Sequence, residues 1–179
     1  MTRFPSLLFV VLGLLLVPTV ACAQQPVDPS PAEGIAWHPT VESAMAAAET
    51  SGKKVIVDIF APWCGWCARL QKEVYGSAEI QAYVADNFEM VRVNGEESED
   101  VVAFKEYTLS SQMLAQALGA SGYPTTVFLA SDGSYVTKLP GFSEPTDFLN
   151  VLGFISSDAF LTQSFEEYLG AAGGNESGR

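Results

Sequence analysis

Two cysteines three positions apart, Cys64 and Cys67, are the side chains of this 179-residue sequence most suited to chemistry, and they stand in the run Trp63-Cys64-Gly65-Trp66-Cys67. A pair at this spacing can close a disulfide and reopen it, moving two electrons each time. An apolar, mostly β-branched run precedes it at 55–60, and Ala61-Pro62 breaks that run. Its length and composition predict a buried strand. Residues 68–74 hold good helix formers at most positions. The cysteines therefore fall where a strand hands over to a helix, with Cys64 at the helix start. Unpaired N–H groups and the positive end of the helix dipole favour a thiolate there, and the thiolate is the reactive form.

Other uses of the pair fit less well. Zinc needs four ligands, and His38 is the sole histidine. A c-type haem needs histidine directly after the second cysteine, where this chain has Ala68. A static disulfide across so short a loop adds little chain-entropy stabilisation. No metal or organic cofactor is implied. Asp58 is an acid inside the apolar strand, so desolvation is expected to raise its pKa. His38, between Trp37 and Pro39, reads as a residue at the start of a helix rather than a catalyst.

The rest of the chain must position this dithiol. A short strand is expected within 34–38, then an Ala-rich helix over 39–50 that Gly52 ends. After the cysteine helix, residues 77–87 continue it or form a second helix, with Gly76 as the break; 88–94 is another apolar strand. The stretch from Gly95 to Tyr107 opens acidic, with Glu96, Glu97, Glu99 and Asp100. Ser110 or Ser111 can cap a helix to Leu118. A hairpin follows, 125–130 with 134–139 around Ser131-Asp132-Gly133, and then a helix over 145–156. Strand–helix–strand followed by helix and hairpin predicts an α/β fold whose first two core strands are parallel and whose last two are antiparallel.

The ends of the chain read differently. Arg3 is the sole charge before an apolar stretch over 4–20, which ends in Ala21-Cys22-Ala23. This pattern predicts a signal peptide over 1–23. A lone membrane span is the competing reading, disfavoured by Pro5, Gly13 and Pro18. Cleavage before Cys22 would instead leave a lipid-anchored N-terminus. Both cleavages remove Cys22 from redox chemistry. Residues 24–34, with three prolines, read as a flexible linker, 35–157 as the domain, 158–170 as a helical extension and 171–179 as a disordered tail. Net charge is −12, and more negative by one once Arg3 is lost. Such a surface argues against nucleic acid and anionic membranes as partners.

Taken together, the residues resemble the thioredoxin superfamily over 35–156. Trp63-Cys64-x-x-Cys67 is similar to its active-site motif, Asp58 to its buried acid, Gly122-Tyr123-Pro124-Thr125-Thr126 to its cis-proline loop and Gly141 to its glycine before the last helix. The resemblance implies a central mixed sheet flanked by helices, with an insertion before the cis-proline loop. It also implies an exported, periplasmic thiol–disulfide oxidoreductase, a monomer acting on cysteine-containing client proteins and recharged by a membrane or soluble redox partner. Cys64 is then the attacking thiol and Cys67 the resolving one. Asp58 relays protons to Cys67, Pro124 follows a cis bond, and the backbone of Tyr123 receives an extended client strand. Trp63 and Trp66 flank Cys64 and both are substrate-binding candidates, with Trp66 expected to be exposed and facing substrate and Trp63 the more structural of the two. Arg92 is either a partner of Asp58 or a surface arginine. Trp66 stands where thioredoxin has proline and Tyr123 where it has a small aliphatic residue. The alternative function is a non-catalytic binding module or chaperone on the same fold.

Overall fold

A computed structural model describes residues 29–174. The expected signal peptide, Cys22 and the end of the expected tail lie outside the described residues. Among those described, no helix is long and apolar enough to cross a membrane.

Five strands form one sheet in the order β1-β3-β2-β6-β7. They are β1 (Trp37–His38), β2 (Lys54–Phe60), β3 (Phe88–Asn94), β6 (Thr125–Leu129) and β7 (Tyr135–Pro140). β1 and β2 both run parallel to β3, while β6 is antiparallel to β2 and to β7. The parallel pair and the terminal hairpin expected from sequence are both present.

Alternation along the strands sorts side chains to two faces. Val55, Val57 and Ile59 face a core with α1 (Val41–Ser51) and α4 (Ser111–Ala117). Ile56 faces the other way, with Met90 and Phe128, onto the cysteine helix, α3 (Ala78–Asn87) and α5 (Pro145–Ser156). Fully burying side chains of this size contributes about 1.5–3 kcal/mol each. One step further along this second face the register places Asp58 opposite Arg92 on one side and Thr126 on the other. An apolar row, Ile56–Met90–Phe128, is thus followed by a polar row, Asp58–Arg92–Thr126, at the end of the sheet where the cysteines lie.

Two stretches differ from the sequence reading. Residues 95–110 contain an antiparallel pair, β4 (Val102–Phe104) and β5 (Tyr107–Leu109), not a plain acidic loop. The strands are three residues long and their turn is Lys105-Glu106, without the Asn-Gly or Asp-Gly signal of a tight hairpin; Lys105 adopts φ 54°. Val102, Phe104 and Leu109 hold the pair by packing on the first core. At the C-terminus, a short 3-10 turn at Ala159–Leu161 leads into α6 (Phe165–Gly174), which runs beyond the end expected for the helical extension. The rings of Phe165 and Tyr168 pack on Phe154 of α5 and seat it.

Candidate active site

The strand-to-helix junction builds the site. β2 ends at Phe60, and Cys64 is the N-cap residue of α2 (Gly65–Arg69), with extended backbone angles. Its Sγ accepts a hydrogen bond from the Cys67 N–H at 3.0 Å. The same N–H also donates to the Cys64 carbonyl at 3.1 Å, so an N–H of the first helical turn is shared between that oxygen and the sulfur, an arrangement that favours a thiolate once the pair is reduced. Cys64 and Cys67 are joined as a disulfide, with Cα atoms 5.2 Å apart.

Cys64 is less open than its position at the helix start implies, at 3% exposed, with Cys67 at 1%. Phe60, Ala61 and Tyr123 cover the pair. Tyr123 is the bulky residue that stands before the proline, and the Tyr123–Pro124 bond is cis. Its ring lies so close to Gly95 that a Cβ there would sit 2.5 Å from Cε1, so glycine at 95 is what lets the ring lie over the cysteines. The carbonyl of Pro124 accepts from the Gly141 N–H at 2.8 Å, and Gly141 has φ 79°. The two expected motif residues thus hold each other.

Trp63 differs from its expected structural role: it is 64% exposed, more than Trp66 at 56%. Trp63 meets the Tyr123 ring edge-on at 5.8 Å, and Trp66 tilts against Phe142 at 5.7 Å. The Arg69 guanidinium lies 4.3 Å from the Phe142 ring centre and 5.3 Å from that of Trp66. Trp66, Arg69, Tyr123, Pro124, Phe142 and Glu144 line a shallow groove beside the disulfide.

Around Gln71, one turn after Cys67 on the same helix, the chemistry changes. Asp58 is fully buried. Its Oδ2 accepts from Arg92 Nε at 2.8 Å and from Gln71 Nε2 at 2.7 Å. Burial raises its pKa, and the Arg92 charge, with the bonds from Arg92 and Gln71, partly offsets this. Arg92 is therefore the partner of Asp58 and not a surface residue; its guanidinium also lies 3.9 Å from the Phe60 ring centre. The hydroxyl of Tyr75 is buried nearby, and burial, followed by the charge of Asp58, pushes its pKa well above the ordinary value.

No local motif in the sequence marks Gln71 or Tyr75. Both lie in a π-helical turn, Leu70–Tyr75, that continues α2. Single π turns inside helices recur at functional sites. Gly76 ends this one by close approach, since a Cβ there would lie 2.3 Å from the Lys72 carbonyl oxygen. The signal that could have found Gln71 is its place one turn after Cys67, among the inward Leu70 and Val74. His38 stands on β1 and pairs with Glu89 at 2.8 Å, away from the dithiol's own contacts.

The acidic stretch divides. Glu96 reaches the Tyr123 hydroxyl, and after burial its bond and charge are what hold that phenol up at about 12. Asp100 turns elsewhere: its carboxylate takes the Ser111 N–H at 2.8 Å and the Ser111 hydroxyl at 2.5 Å. Glu97 accepts from the Glu99 N–H.

The profile of the thioredoxin-like domain matches residues 41–156. The chain belongs to the thioredoxin-like family. Cys64 and Cys67 are bonded at the motif position, so the chain carries the cysteine pair that thiol–disulfide exchange needs. Among curated proteins it is 28% identical over 120 residues to uncharacterized protein B0495.5 of Caenorhabditis elegans, covering 67% of this chain and 16% of that one. It is 27% identical over 122 residues to the thiol:disulfide interchange protein DsbD of Yersinia enterocolitica, covering 68% of this chain and 18% of that protein. The chain thus matches less than a fifth of the length of either relative. Among solved structures, a putative disulphide-isomerase from Bacteroides thetaiotaomicron superposes with TM-score 0.55 at 28% identity, over 70% of this chain and 95% of that one. A thioredoxin from Thermus thermophilus superposes with TM-score 0.56 at 23% identity, over 67% and 85%, which is a likeness of fold.

Proposed function

We propose that this protein is an exported reductase of client disulfides, working through Cys64 and Cys67. The observation that carries the reading is the Cys64–Cys67 disulfide at the N-terminus of a helix, with a helix N–H on the Cys64 sulfur. The Cys64 thiolate attacks a client disulfide, and one client sulfur leaves as a thiolate. Cys67 gives its proton to Asp58, and its sulfur then attacks Sγ of Cys64. The Cys64–Cys67 bond forms as the Cys64–client bond breaks, and the second client sulfur departs as a thiolate. The protein is oxidised by two electrons and the client is reduced by two.

Clients lie along the groove at Trp66, Tyr123 and Pro124, with Trp63 at its rim, and pair with the backbone at residue 123. The similarity to DsbD supports a periplasmic setting and a redox partner that recharges the dithiol. The leader pattern over 1–23 supports export, with lipid anchoring through Cys22 as the variant outcome.

Insulin reduction with a recycling reductant tests this. Activity in the parent that is lost in Cys64→Ser, together with client adducts trapped by Cys67→Ser, is the expected result. Client binding with no reduction by the parent would leave a binding module instead. The reduction potential of the pair fixes the direction of transfer.

A further inference from the structure

The chain ahead of β1, read from sequence as part of a flexible linker, is pinned to the active-site helix. The Ala32 peptide is held on both sides: its N–H donates to Gln71 Oε1 at 2.9 Å, and its carbonyl accepts from Trp37 Nε1 at 3.1 Å. The carbonyl of Glu33 accepts from Gln81 Nε2 at 2.8 Å, and the same Nε2 donates to the Tyr75 carbonyl at 2.9 Å. Gly34, at φ 88°, turns the chain, and a Cβ there would lie 2.5 Å from Gln81 Oε1. Ala32 and Ile35 pack on the second core. Residues 31–35 therefore form a strap across the π turn.

Gln71 stands between this strap and Asp58, with Oε1 on the strap and Nε2 on the carboxylate. A neutral amide has one acceptor end and one donor end. With Oε1 committed to the Ala32 N–H, Nε2 must face Asp58. Rotated the other way, the amide would set N–H against N–H and oxygen against carboxylate. The seated strap thus fixes the orientation in which Gln71 supports the carboxylate. The other groups facing Asp58 are Arg92 from β3, Tyr75 from the π turn and Thr126 from β6.

We infer that Gln71 is a positioning residue that couples the seating of the strap at Ala32 to the proton acceptor behind Cys67, and so to the speed with which Cys67 resolves the mixed disulfide. This rests on the roles of Cys67 and Asp58 proposed above.

The test uses the reduced full chain and the aromatic disulfide DTNB, which gives two absorbance steps. The first is attack by Cys64, and the second is release of the mixed disulfide by Cys67. Ala32→Pro deletes the strap's N–H and leaves Gln71 in place. Gln71→Leu deletes the bridge. At neutral pH the second step is expected to slow about tenfold in Gln71→Leu and about threefold in Ala32→Pro, with the first step unchanged. Ala32→Pro adds nothing in the Gln71→Leu background, because both act through one bridge. In parallel, carboxyl NMR shows the Asp58 titration moving upward in both variants, since the donor to the charged form is removed in Gln71→Leu and no longer held in place in Ala32→Pro. Trp37→Phe releases the other side of Ala32 and serves if Ala32→Pro fails to fold.

Parent-like second steps and Asp58 titrations in both strap variants would overturn the coupling. So would an equal slowing by Ala32→Pro with and without Gln71. If Cys67→Ser still shows the second step, the reading of Cys67 fails instead, while the Asp58 titration continues to report on the strap.

Discussion

The two cysteines share one disulfide but not one environment. Around Cys64 the neighbours are rings: Tyr123 over the sulfur pair, with Trp63 and Trp66 open to solvent beside it. One turn after Cys67 on the same helix, Gln71 reaches a buried carboxylate, Asp58, which takes an arginine and this amide on one oxygen. Under the function proposed above, the first environment would control what can approach Cys64 and the second where the proton of Cys67 can go. Substitutions on the two sides should therefore separate in what they change.

The largest effect is expected on the buried side. Arg92→Met leaves Asp58 buried without its cation, which costs about 3–5 kcal/mol when the carboxylate is charged. The cost shrinks in acid. Burial raises the folded pKa of Asp58 above the ordinary 3.8, so between those two values the folded chain holds more proton than the unfolded chain. The stability contribution of this group is therefore fully present below the ordinary value and declines as pH rises through the folded one. Urea unfolding of the parent, Arg92→Met and Asp58→Asn across acidic to neutral pH reads this directly. Arg92→Met should steepen the decline and Asp58→Asn should flatten it. A pH-independent loss in Arg92→Met would mean that the packing of its guanidinium, 3.9 Å from the Phe60 ring centre and 5.8 Å from that of Trp37, matters more than its charge.

Next is the proton step itself. Asp58→Asn should slow resolution of a mixed disulfide by about 10–100-fold at neutral pH and leave alkylation of Cys64 in the reduced protein as it was. Equal slowing of both steps would erase the distinction between the two sides. On the aromatic side, Tyr123→Ala should speed the reaction of Cys64 with bulky disulfides by about threefold to tenfold, with small ones changed less, because access and not thiolate chemistry is altered. A uniform change across reagent sizes would count against Tyr123 as a cover.

The same contrast separates what could be read from sequence. Strand 55–60, the helix after it and the Asp58–Cys64–Cys67 spacing are local patterns of apolar periodicity and turn residues, and they appear in the structure as strand, helix and buried acid. Gly141 and Pro124 likewise meet through one backbone bond. What stayed hidden depended on distant contacts. Gln71 looks like an ordinary helix former until the Ala32 peptide and Asp58 are brought to its two ends. Trp63 is of a type that suits a structural role, yet it stands exposed with its ring against the edge of Tyr123. The pair β4–β5 has weak local turn chemistry and owes its form to packing under α1 and α4.

The smallest expected effect tests whether charge also reaches the aromatic side. Of the four acids after β3, Glu96 alone was found against Tyr123, whereas Asp100 is spent on Ser111 at the start of α4. Glu96→Gln removes a charge that helps hold the Tyr123 phenol at about 12. Its titration, followed by phenolate absorbance as a difference against Tyr123→Phe, should drop toward the ordinary 10.0 but stop short of it, because burial remains the larger cause. The same variant should lower the preference for a basic over an acidic disulfide peptide by about twofold at low salt, and the difference should vanish at high salt. Asp100→Asn should instead weaken the start of α4 by about 0.5–2 kcal/mol and leave client preference alone. If Asp100→Asn shifts the preference as much as Glu96→Gln does, the whole acidic stretch acts as one diffuse field. If only Glu96→Gln shifts it, a single carboxylate on the covering tyrosine brings charge selectivity to an otherwise aromatic rim.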